Sequence, residues 1–343
     1  MIPLTVSASW EDEDVNIAEL GLSETATAWL RGRETAADVE LPQDREAVEM
    51  LTFCGVSERD REDMLAARPD PERDAHWWVV LQAIAAELDR GMDQAVGANG
   101  FTGWPKLTGT PVGSFVVPWA LLSRLPRLLD VHMRRGIPES VSKASASVLG
   151  SVLATHRKVT GRAGLGLFAL WGPPLRFRGA DIQLGRHAFT RAQFALGDGP
   201  AGYGLMIHVP PIGPLDSTAS EDSIASAERS FAQWYPEEPV TLFSCTSWLL
   251  DPQLGEYLHP ESNILRFQRR FSLLPELPSA DPDEGDRSMM TFGLQMRDPE
   301  GALRPEDLAR VPQDTTLQRA FVTHLRSGRH WAKRTGIRFP AAA

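Results

Sequence analysis

A histidine stands at the end of a buried apolar run in LMIHVPPIGPLDSTASEDSIASAERSF, residues 205–231. The run has the length of a strand and stops at Pro210 and Pro211, which cannot donate the hydrogen bonds of a sheet. A loop with one glycine follows, and then a helix that the apolar spacing predicts. Because a helix N-terminus offers free N–H groups and a positive dipole end, this junction predicts a site for a phosphorylated ligand beside His208.

The elements on both sides of this junction predict a strand–helix–strand crossover. GYGLMIHV, residues 202–209, and VTLFSCTSWLL, residues 240–250, are apolar runs typical of buried central strands. The apolar stripe of the helix between them consists of Ile224, Ala227, Phe231 and Trp234. Two such strands joined by a helix form one crossover unit, with the histidine at the end of its first strand.

The sequence predicts that the first part of the chain, before about residue 164, is mainly helical. An apolar stripe with Asp70 as its N-cap predicts a helix over residues 70–92, and residues 138–161 begin with proline and end with glycine. The run SFVVPWALL, residues 114–122, predicts a short strand.

After about residue 164 the pattern changes to strands. Residues 173–196 alternate and are interrupted by Gly179 and Gly185, which predicts antiparallel segments. Residues 251–271 predict two helical pieces, and FSLLPEL (271–277) with SMMTFGLQM (288–296) predicts a closing pair of strands.

Composition and charge narrow the class of protein. With 343 residues, 42% apolar and 23% charged, the chain is long enough for two globular domains. A net charge of -10 argues against general nucleic-acid binding. Residues 1–75 hold 19 acidic and 7 basic side chains, whereas residues 319–338 are basic and predict a solvated or interface-forming helix face.

The two cysteines, Cys54 and Cys245, cannot form a disulfide framework, and no Cys/His spacing suits a metal. The N-terminal residues lack a signal-peptide pattern, and no apolar run has the length of a membrane span. These features predict a reduced, cytoplasmic protein without a metal or a membrane association.

Four segments, in this order, carry a resemblance to a known family. They are FRGADIQLGRHAF (177–189), IHVPPIGPLDSTASEDSIASA (207–227), CTSWLLDPQLGEYL (245–258) and SNILRFQRRF (262–271). The chain resembles acyltransferases that join a helical N-terminal domain to a GNAT-like C-terminal domain. The resemblance implies an α+β protein, with a mainly helical domain over residues 1–158 and a GNAT-like mixed sheet flanked by helices over residues 159–343.

The resemblance also implies direct transfer of an acyl group from acyl-CoA, with acetyl-CoA favoured, to the amine of a small molecule or peptide. The CoA arm would pair with the free edge of residues 205–209, where Ile207 and Val209 are the expected contacts. Its diphosphate would lie on the following loop, at Gly213 and Leu215.

Two residues of the later helix are further candidates for CoA contacts. Asn263 opens NILRFQRRF, where the family often contacts the CoA arm, and its alternative role is a helix cap beside Ser262. Phe267 is the second candidate, with packing in the core as its alternative.

The loop departs from the common GNAT pattern of several glycines. It has one glycine and is acidic, with Asp216, Glu221 and Asp222 close to the expected diphosphate. A cation, such as Arg266 or a residue of the basic C-terminal segment, would have to offset this charge.

Acyl transfer from a thioester needs a base for the amine and can use an acid for the thiolate. His208 is the expected base because its ordinary pKa is near neutrality, and a hydrogen-bonded core histidine is the alternative. Tyr257 is the candidate acid, although it precedes Asn263, whereas the family pattern has its tyrosine after that asparagine.

Two other functions are compatible with these residues. Cys245 could act as a covalent nucleophile with His208 as its base, or it could be a buried small hydrophobe. Alternatively, the chain could be a GNAT-like module that binds CoA or a protein partner without catalysis. The sequence leaves the acceptor, the acyl length and the oligomeric state open.

Overall fold

The computed structural model of the chain describes residues 17–33, 37–107, 110–166, 170–195, 201–276, 281–297 and 303–340. The chain divides into two compact units, Met1–Ile182 and Gln183–Ala343. The domain boundary predicted at residues 158 and 159 precedes this division. Leu170 forms a backbone bridge with Trp104, and Arg176 donates to the Ser145 carbonyl, so this segment packs within the first unit.

The described part of the first unit is helical. Its α-helices are α1 (Glu24–Arg31), α2 (Asp44–Phe53), α3 (Glu58–Ala66), α4 (Ala75–Arg90), α5 (Pro111–Arg134), α6 (Glu139–Ala146), α7 (Val148–Thr160) and α8 (Gly172–Phe177). Helix α4 begins five residues after the predicted cap Asp70, whose carboxylate instead accepts from the N–H groups of Glu72 and Arg73 in a preceding turn.

The strand predicted over residues 114–122 is wrong, because these residues lie inside α5. Thr110 caps this helix by accepting from the Gly113 N–H, and Pro111 occupies its first turn. Nearly all residues of this stretch are buried. A helix buried on all sides reads as a continuous apolar run, which the sequence alone does not separate from a buried strand.

The second unit is built on a mixed six-stranded sheet with the strand order β1-β2-β3-β4-β6-β5. Its strands are β1 (Asp181–Leu184), β2 (His187–Phe194), β3 (Gly202–His208), β4 (Val240–Ser247), β5 (Ser272–Leu273) and β6 (Arg334–Arg338). Its α-helices are α9 (Ser217–Trp234), α10 (Asn263–Gln268), α11 (Glu284–Ser288), α12 (Pro305–Ala309) and α13 (Thr316–Arg326). Helices followed by this mixed sheet confirm the predicted α+β class.

The predicted crossover unit is present, since β3 and β4 are parallel and α9 joins them. The predicted stripe of α9 is buried, and the Phe231 ring lies 6.3 Å from that of Phe189 on β2. One face of the sheet therefore packs against α9.

The closing strands differ from the prediction. Residues 173–177 lie in α8, and SMMTFGLQM contains a π-helical turn, Met289–Gly293, rather than a strand. The partner of β5 is β6, within the basic segment that predicted a helix; only its first part is helical, in α13. Among the described residues, no helix is both long enough and apolar enough to cross a bilayer.

Candidate active site

The two central parallel strands separate at their carboxyl ends. The last pair between β3 and β4 joins Met206 to Ser244. Strand β3 continues beside β2 as far as His208, and β4 continues beside β6 as far as Ser247. We call the gap beyond the Met206–Ser244 pair the notch. Because β3 and β4 no longer pair there, the backbone groups of β3 that face this edge can bind an extended ligand.

The loop over residues 209–216 borders the notch and is held by one arginine. Arg186 Nε donates to the Pro214 carbonyl at 2.8 Å, Nη1 to Pro210 at 2.8 Å and Nη2 to Gly213 at 3.0 Å. Gly213 has a φ of 137°, a conformation that L side chains rarely adopt. The predicted cofactor residue Gly213 is thus required by the backbone of the loop.

The loop and the first turn of α9 offer N–H donors to an anion. Asp216 is the N-cap and accepts from the Ala219 N–H at 2.8 Å, while the N–H groups of the preceding helical residues, Ser217 and Thr218, have no partner within the helix. Within the described residues the N–H of Leu215 also has no acceptor. With the helix dipole, these donors form an anion site.

The acidic side chain of Glu221 is neutralised by two arginines. Its carboxylate accepts from Arg338 at 2.5 and 2.9 Å and from Arg270 at 3.2 Å. The hydrogen bonds and charge of Arg338, and then those of Arg270, lower the pKa of Glu221 to about 2 against the opposing effect of burial. These two guanidiniums and one carboxylate together carry one positive charge, which offsets part of the negative charge of Asp216 and Asp222.

Of the two cation sources expected from the sequence, the basic C-terminal segment supplies one in Arg338, whereas Arg266 does not contact Glu221. Its guanidinium pairs with Glu261 at 2.8 Å on the exposed side of α10. Arg270, one turn further, donates to both Ser217 Oγ and the Ser217 carbonyl at 2.7 Å and so lies at the first turn of α9.

His208 lies at the end of β3 with its imidazole fixed by a hydroxyl. Its Nε2 is 2.9 Å from Thr190 Oγ1 on β2. Thr190 pairs with Met206 and Ala188 with His208, so all four side chains share one face of the sheet. This is the face opposite to Phe189, which packs against α9.

Cys245 lies on the other face from His208. Ser244 is the partner of Met206 and therefore shares the face of His208, whereas Cys245, the next residue, points to the opposite side. Burial raises the pKa of the Cys245 thiol to about 12. The Cys245/His208 nucleophile pair predicted as an alternative is therefore contradicted by both placement and protonation.

Tyr257 lies in an apolar cluster of the second unit with Val209 and Leu215, and its hydroxyl is 3.1 Å from His324 Nδ1. His324 Nε2 is 3.2 Å from the His330 carbonyl. Since a carbonyl only accepts, Nε2 carries a proton, and in the neutral imidazole Nδ1 then accepts from the phenol. The Tyr257 proton is thus directed to His324.

The remaining candidates differ in what they can offer. The Ile207 side chain is buried, so only its backbone can serve the notch, while Val209 and Leu215 are half-buried. Asn263 is exposed on the first turn of α10, where Ser262 is the cap. The Phe267 ring is fully buried, 5.1 Å from that of Phe271, so it packs in the core.

A small cluster of possible metal ligands lies elsewhere in the second unit. Asp283, Asp286 and His330 bring their ligand atoms within 4.8 Å of one another. Asp286 accepts from His330 Nδ1 and from the Trp331 N–H, each at 2.7 Å. These hydrogen bonds explain the cluster as a link between α11 and the C-terminal segment.

Arg186, Arg270 and Thr190 are site residues that the sequence does not single out, and Arg338 is indicated only as one of several cations in the basic C-terminal segment. Arg186 stands within the segment FRGADIQLGRHAF, but the carbonyls that it binds are 24–28 residues away in the chain. Arg338 binds a carboxylate 117 residues away. Such long-range partners leave no local signal.

Comparison with known domain families identifies both parts of the chain. Residues 45–179 match the N-acyltransferase N-terminal domain, and residues 182–338 match the GNAT-like C-terminal domain. No curated protein matches the chain.

Several solved structures are similar over nearly the whole length. An acyltransferase in complex with CoA and 10C-teicoplanin is 32% identical with a TM-score of 0.82, over 94% of this chain and 97% of that one. An acyltransferase in complex with decanoyl-CoA and teicoplanin is 33% identical with a TM-score of 0.80, over 94% and 97%. An acyltransferase mutant in complex with octanoyl-CoA is 32% identical with a TM-score of 0.80, over 94% and 98%.

Proposed function

The chain belongs to the acyltransferases that join an N-acyltransferase N-terminal domain to a GNAT-like C-terminal domain, and on this basis we propose that it transfers an acyl group from acyl-CoA directly to an amine. Acyl-CoA-dependent acyl transfer is the activity of the family. We propose the direct route, the class of acceptor and the roles of the individual residues.

The observation that carries the proposal is the separation of β3 and β4 beyond Met206 and Ser244. A pantetheine arm contains amide groups that can pair with a free strand edge, and Ile207 supplies that edge at the notch. The adjoining N–H groups at Leu215 and Ser217 suit the diphosphate at the other end of the arm.

The charge balance at the loop also supports CoA binding. Glu221 is paired with Arg338 and Arg270, so the acidic residue that would repel a diphosphate is compensated. Asp216 is used as the helix cap, and Asp222 is exposed. The acidity of the loop therefore does not favour a module without CoA.

We assign the role of the base to His208, which the contact of its Nε2 with Thr190 Oγ1 supports. When Nε2 donates to Thr190, Nδ1 carries the lone pair that can accept a proton from the attacking amine. The amine nitrogen forms a bond to the thioester carbon, the carbonyl oxygen takes up the charge near backbone N–H groups of the notch, and the C–S bond then breaks. CoA leaves as a thiolate and takes up a proton from solvent, and His208 releases the proton of the amine to solvent.

The structure supports departure of the thiolate without a dedicated acid. A thiol has an ordinary pKa of about 8.5, so its anion is a tolerable leaving group near neutral pH. The Tyr257 proton is directed to His324 and away from such a role.

We propose a medium-chain acyl donor rather than the acetyl donor favoured by the sequence. The similar structures hold octanoyl-CoA and decanoyl-CoA. The half-buried Val209 and Leu215 beside the notch pack against an apolar cluster that includes Met289 and Met290, and methionines adapt readily to an apolar chain.

We propose a small-molecule amine of the glycopeptide class as the acceptor, because two of the similar structures hold teicoplanin or its 10C form. A peptide amine is the alternative class. The cytoplasmic location and the oligomeric state stay predictions.

The first experiment measures thermal unfolding with CoA and decanoyl-CoA, then release of free CoA thiol with teicoplanin as acceptor. Ligand at a hundred times its dissociation constant should stabilise the protein by about 2.7 kcal/mol. We expect acceptor-dependent thiol release, a product heavier by one acyl group, and faster turnover with decanoyl-CoA than with acetyl-CoA. An acceptor with its amines acetylated is the control. Absence of stabilisation at millimolar CoA, or equal transfer to the blocked acceptor, would overturn the proposal.

A further inference from the structure

Arg186 stands at the tip of a tight hairpin that is fixed to α9. Gly185 and Arg186 form the turn between β1 and β2, and Gly185 has a φ of 59°. Ser223 on α9 ties both sides of the turn, because the His187 N–H donates to its Oγ at 3.1 Å and its hydroxyl donates to the Leu184 carbonyl. The base of the Arg186 side chain is therefore held rigidly.

The loop that Arg186 contacts has few bonds of its own. Pro210, Pro211 and Pro214 have no N–H, and the hydrogen bond within the loop among the described residues runs from the Ile212 N–H to the Pro210 carbonyl at 2.9 Å. Three guanidinium donors bind carbonyls along this loop. Arg186 thus holds in place a loop that has few backbone hydrogen bonds of its own.

One of these contacts orients an amide of the anion site. The Pro214 carbonyl and the Leu215 N–H belong to one peptide unit, and in a trans peptide they point in opposite directions. Nε of Arg186 holds this carbonyl at 2.8 Å, so the Leu215 N–H points away from the guanidinium. A cation on the carbonyl also polarises the peptide unit and makes its N–H a stronger donor.

The charge of Arg186 is not cancelled locally. Within the described residues it has no carboxylate partner, in contrast to Arg270 and Arg338. Because it binds neutral carbonyls, the guanidinium keeps its positive charge beside the 209–216 loop, whose own Asp216, together with Asp222 on α9, contributes negative charge.

We propose that Arg186 is a positioning residue for the acyl-CoA diphosphate: it holds the carbonyls of Pro210, Gly213 and Pro214 on one side of the loop so that the Leu215 N–H faces the diphosphate on the other. The inference rests on the proposed function. It adds Arg186, which lies in the β1–β2 turn, to the loop and the helix α9 that are proposed to bind the diphosphate.

The test compares donors with and without a diphosphate. Calorimetry measures the dissociation constant of CoA for the full-length protein and for Arg186→Met, and steady-state kinetics compares decanoyl-CoA with decanoyl-pantetheine, which lacks the diphosphate. We expect Arg186→Met to weaken CoA binding about tenfold, since the loop must then be ordered on binding. The KM for decanoyl-CoA should rise with little change in kcat, and the kinetics with decanoyl-pantetheine should be unchanged.

Two further variants make the test specific. Arg186→Lys keeps the charge but not the three-pronged contact, so CoA affinity should lie between wild type and Arg186→Met, and it serves if the latter fails to fold. Arg229→Met, the same change at an exposed position of α9, should bind CoA as wild type does.

Two results would overturn the inference: wild-type CoA affinity in Arg186→Met, or an equal loss of activity with decanoyl-pantetheine, which would indicate a general structural role. Failure of the proposed function is distinguishable, because the wild-type protein itself would then not bind CoA.

Discussion

The guanidinium of Arg338 binds the Glu221 carboxylate through both of its terminal nitrogens, at 2.5 and 2.9 Å. This contact joins the second turn of α9 to the last described strand of the sheet. It also means that Glu221, an acidic residue close to the proposed diphosphate site, is neutralised by an ion pair and does not repel the ligand as an isolated carboxylate would. Arg270 completes the arrangement, so that these three side chains together carry one positive charge.

This ion pair predicts a pH-dependent contribution to stability. The pKa of Glu221 is lowered from 4.5 to about 2, so its carboxylate stabilises the folded state above about pH 4.5, and this stabilisation is lost as the pH falls through the range toward 2. Because the carboxylate is partly exposed, we expect Glu221→Gln to reduce the free energy of unfolding by only about 1 kcal/mol at pH 7. Denaturant unfolding between pH 7 and pH 3 should show that the difference in free energy of unfolding between wild type and Glu221→Gln becomes smaller as the pH falls.

Asp222→Asn provides the control for this measurement, since Asp222 is exposed on the same helix. The prediction would be contradicted if the difference in free energy of unfolding between wild type and Glu221→Gln stayed constant over this pH range.

Arg270 and Arg266 stand one turn apart and should differ in their effect on CoA binding. Arg270 contacts Ser217 at the start of α9, whereas Arg266 pairs with Glu261. We expect Arg270→Met to weaken CoA binding about tenfold and Arg266→Met less than about twofold, because the first change removes a cation from the anion site and exposes the charge of Glu221. Calorimetry at two salt concentrations measures both, and equal effects of the two substitutions would exclude a specific role for Arg270.

Loss of the His208 imidazole should affect the chemical step and not the binding of CoA. We expect His208→Gln to lower kcat by about 100-fold or more, as for removal of a general base, with the dissociation constant of CoA unchanged. Thr190→Val should have a smaller effect, since it removes only the hydrogen bond to Nε2. His259→Gln, at an exposed histidine, is the matched control. A wild-type kcat in His208→Gln would show that the base lies elsewhere.

The Cys245 thiol should be dispensable for transfer. Burial raises its pKa to about 12, so almost no thiolate is present near pH 7. We expect Cys245→Ala to keep kcat within about twofold and the folded wild type to resist N-ethylmaleimide, because direct transfer uses no enzyme nucleophile. Mass spectrometry during turnover provides the second check. An acylated Cys245 peptide would show the covalent route instead.

The parts of the site that local patterns encode could be predicted from the sequence. The β3–α9–β4 unit is predicted by two local patterns. One is a buried apolar run that ends at two prolines, and the other is the apolar helix stripe that ends at Trp234. The positions of His208 and Gly213 follow from this unit. The sequence does not predict helix α5 over residues 114–122, because these residues are apolar on all sides. It does not predict strand β6, because the basic composition of this segment is typical of an exposed helix face.

The electrostatics of the site could not be predicted in the same way. The acidic loop suggested repulsion of a diphosphate, but the compensating arginines come from α10's C-terminal end and β6. Likewise, the separation of Cys245 from His208 depends on the register of β3 with β4, which places the two side chains on opposite faces. Charge pairing and register are properties of the tertiary structure.

Tyr257 provides the last prediction, because its hydrogen bond decides whether it can act as an acid. With a neutral His324 whose Nε2 donates to the His330 carbonyl, the phenol donates to His324 Nδ1. We therefore expect Tyr257→Phe to lower the free energy of unfolding by about 1 kcal/mol and to change kcat less than about twofold. Tyr203→Phe, at the start of β3, is the control, and both proteins are compared by denaturant unfolding and steady-state kinetics. If kcat fell tenfold with unchanged stability, the phenol proton would have to reach the thiolate, and Tyr257 would be the acid after all.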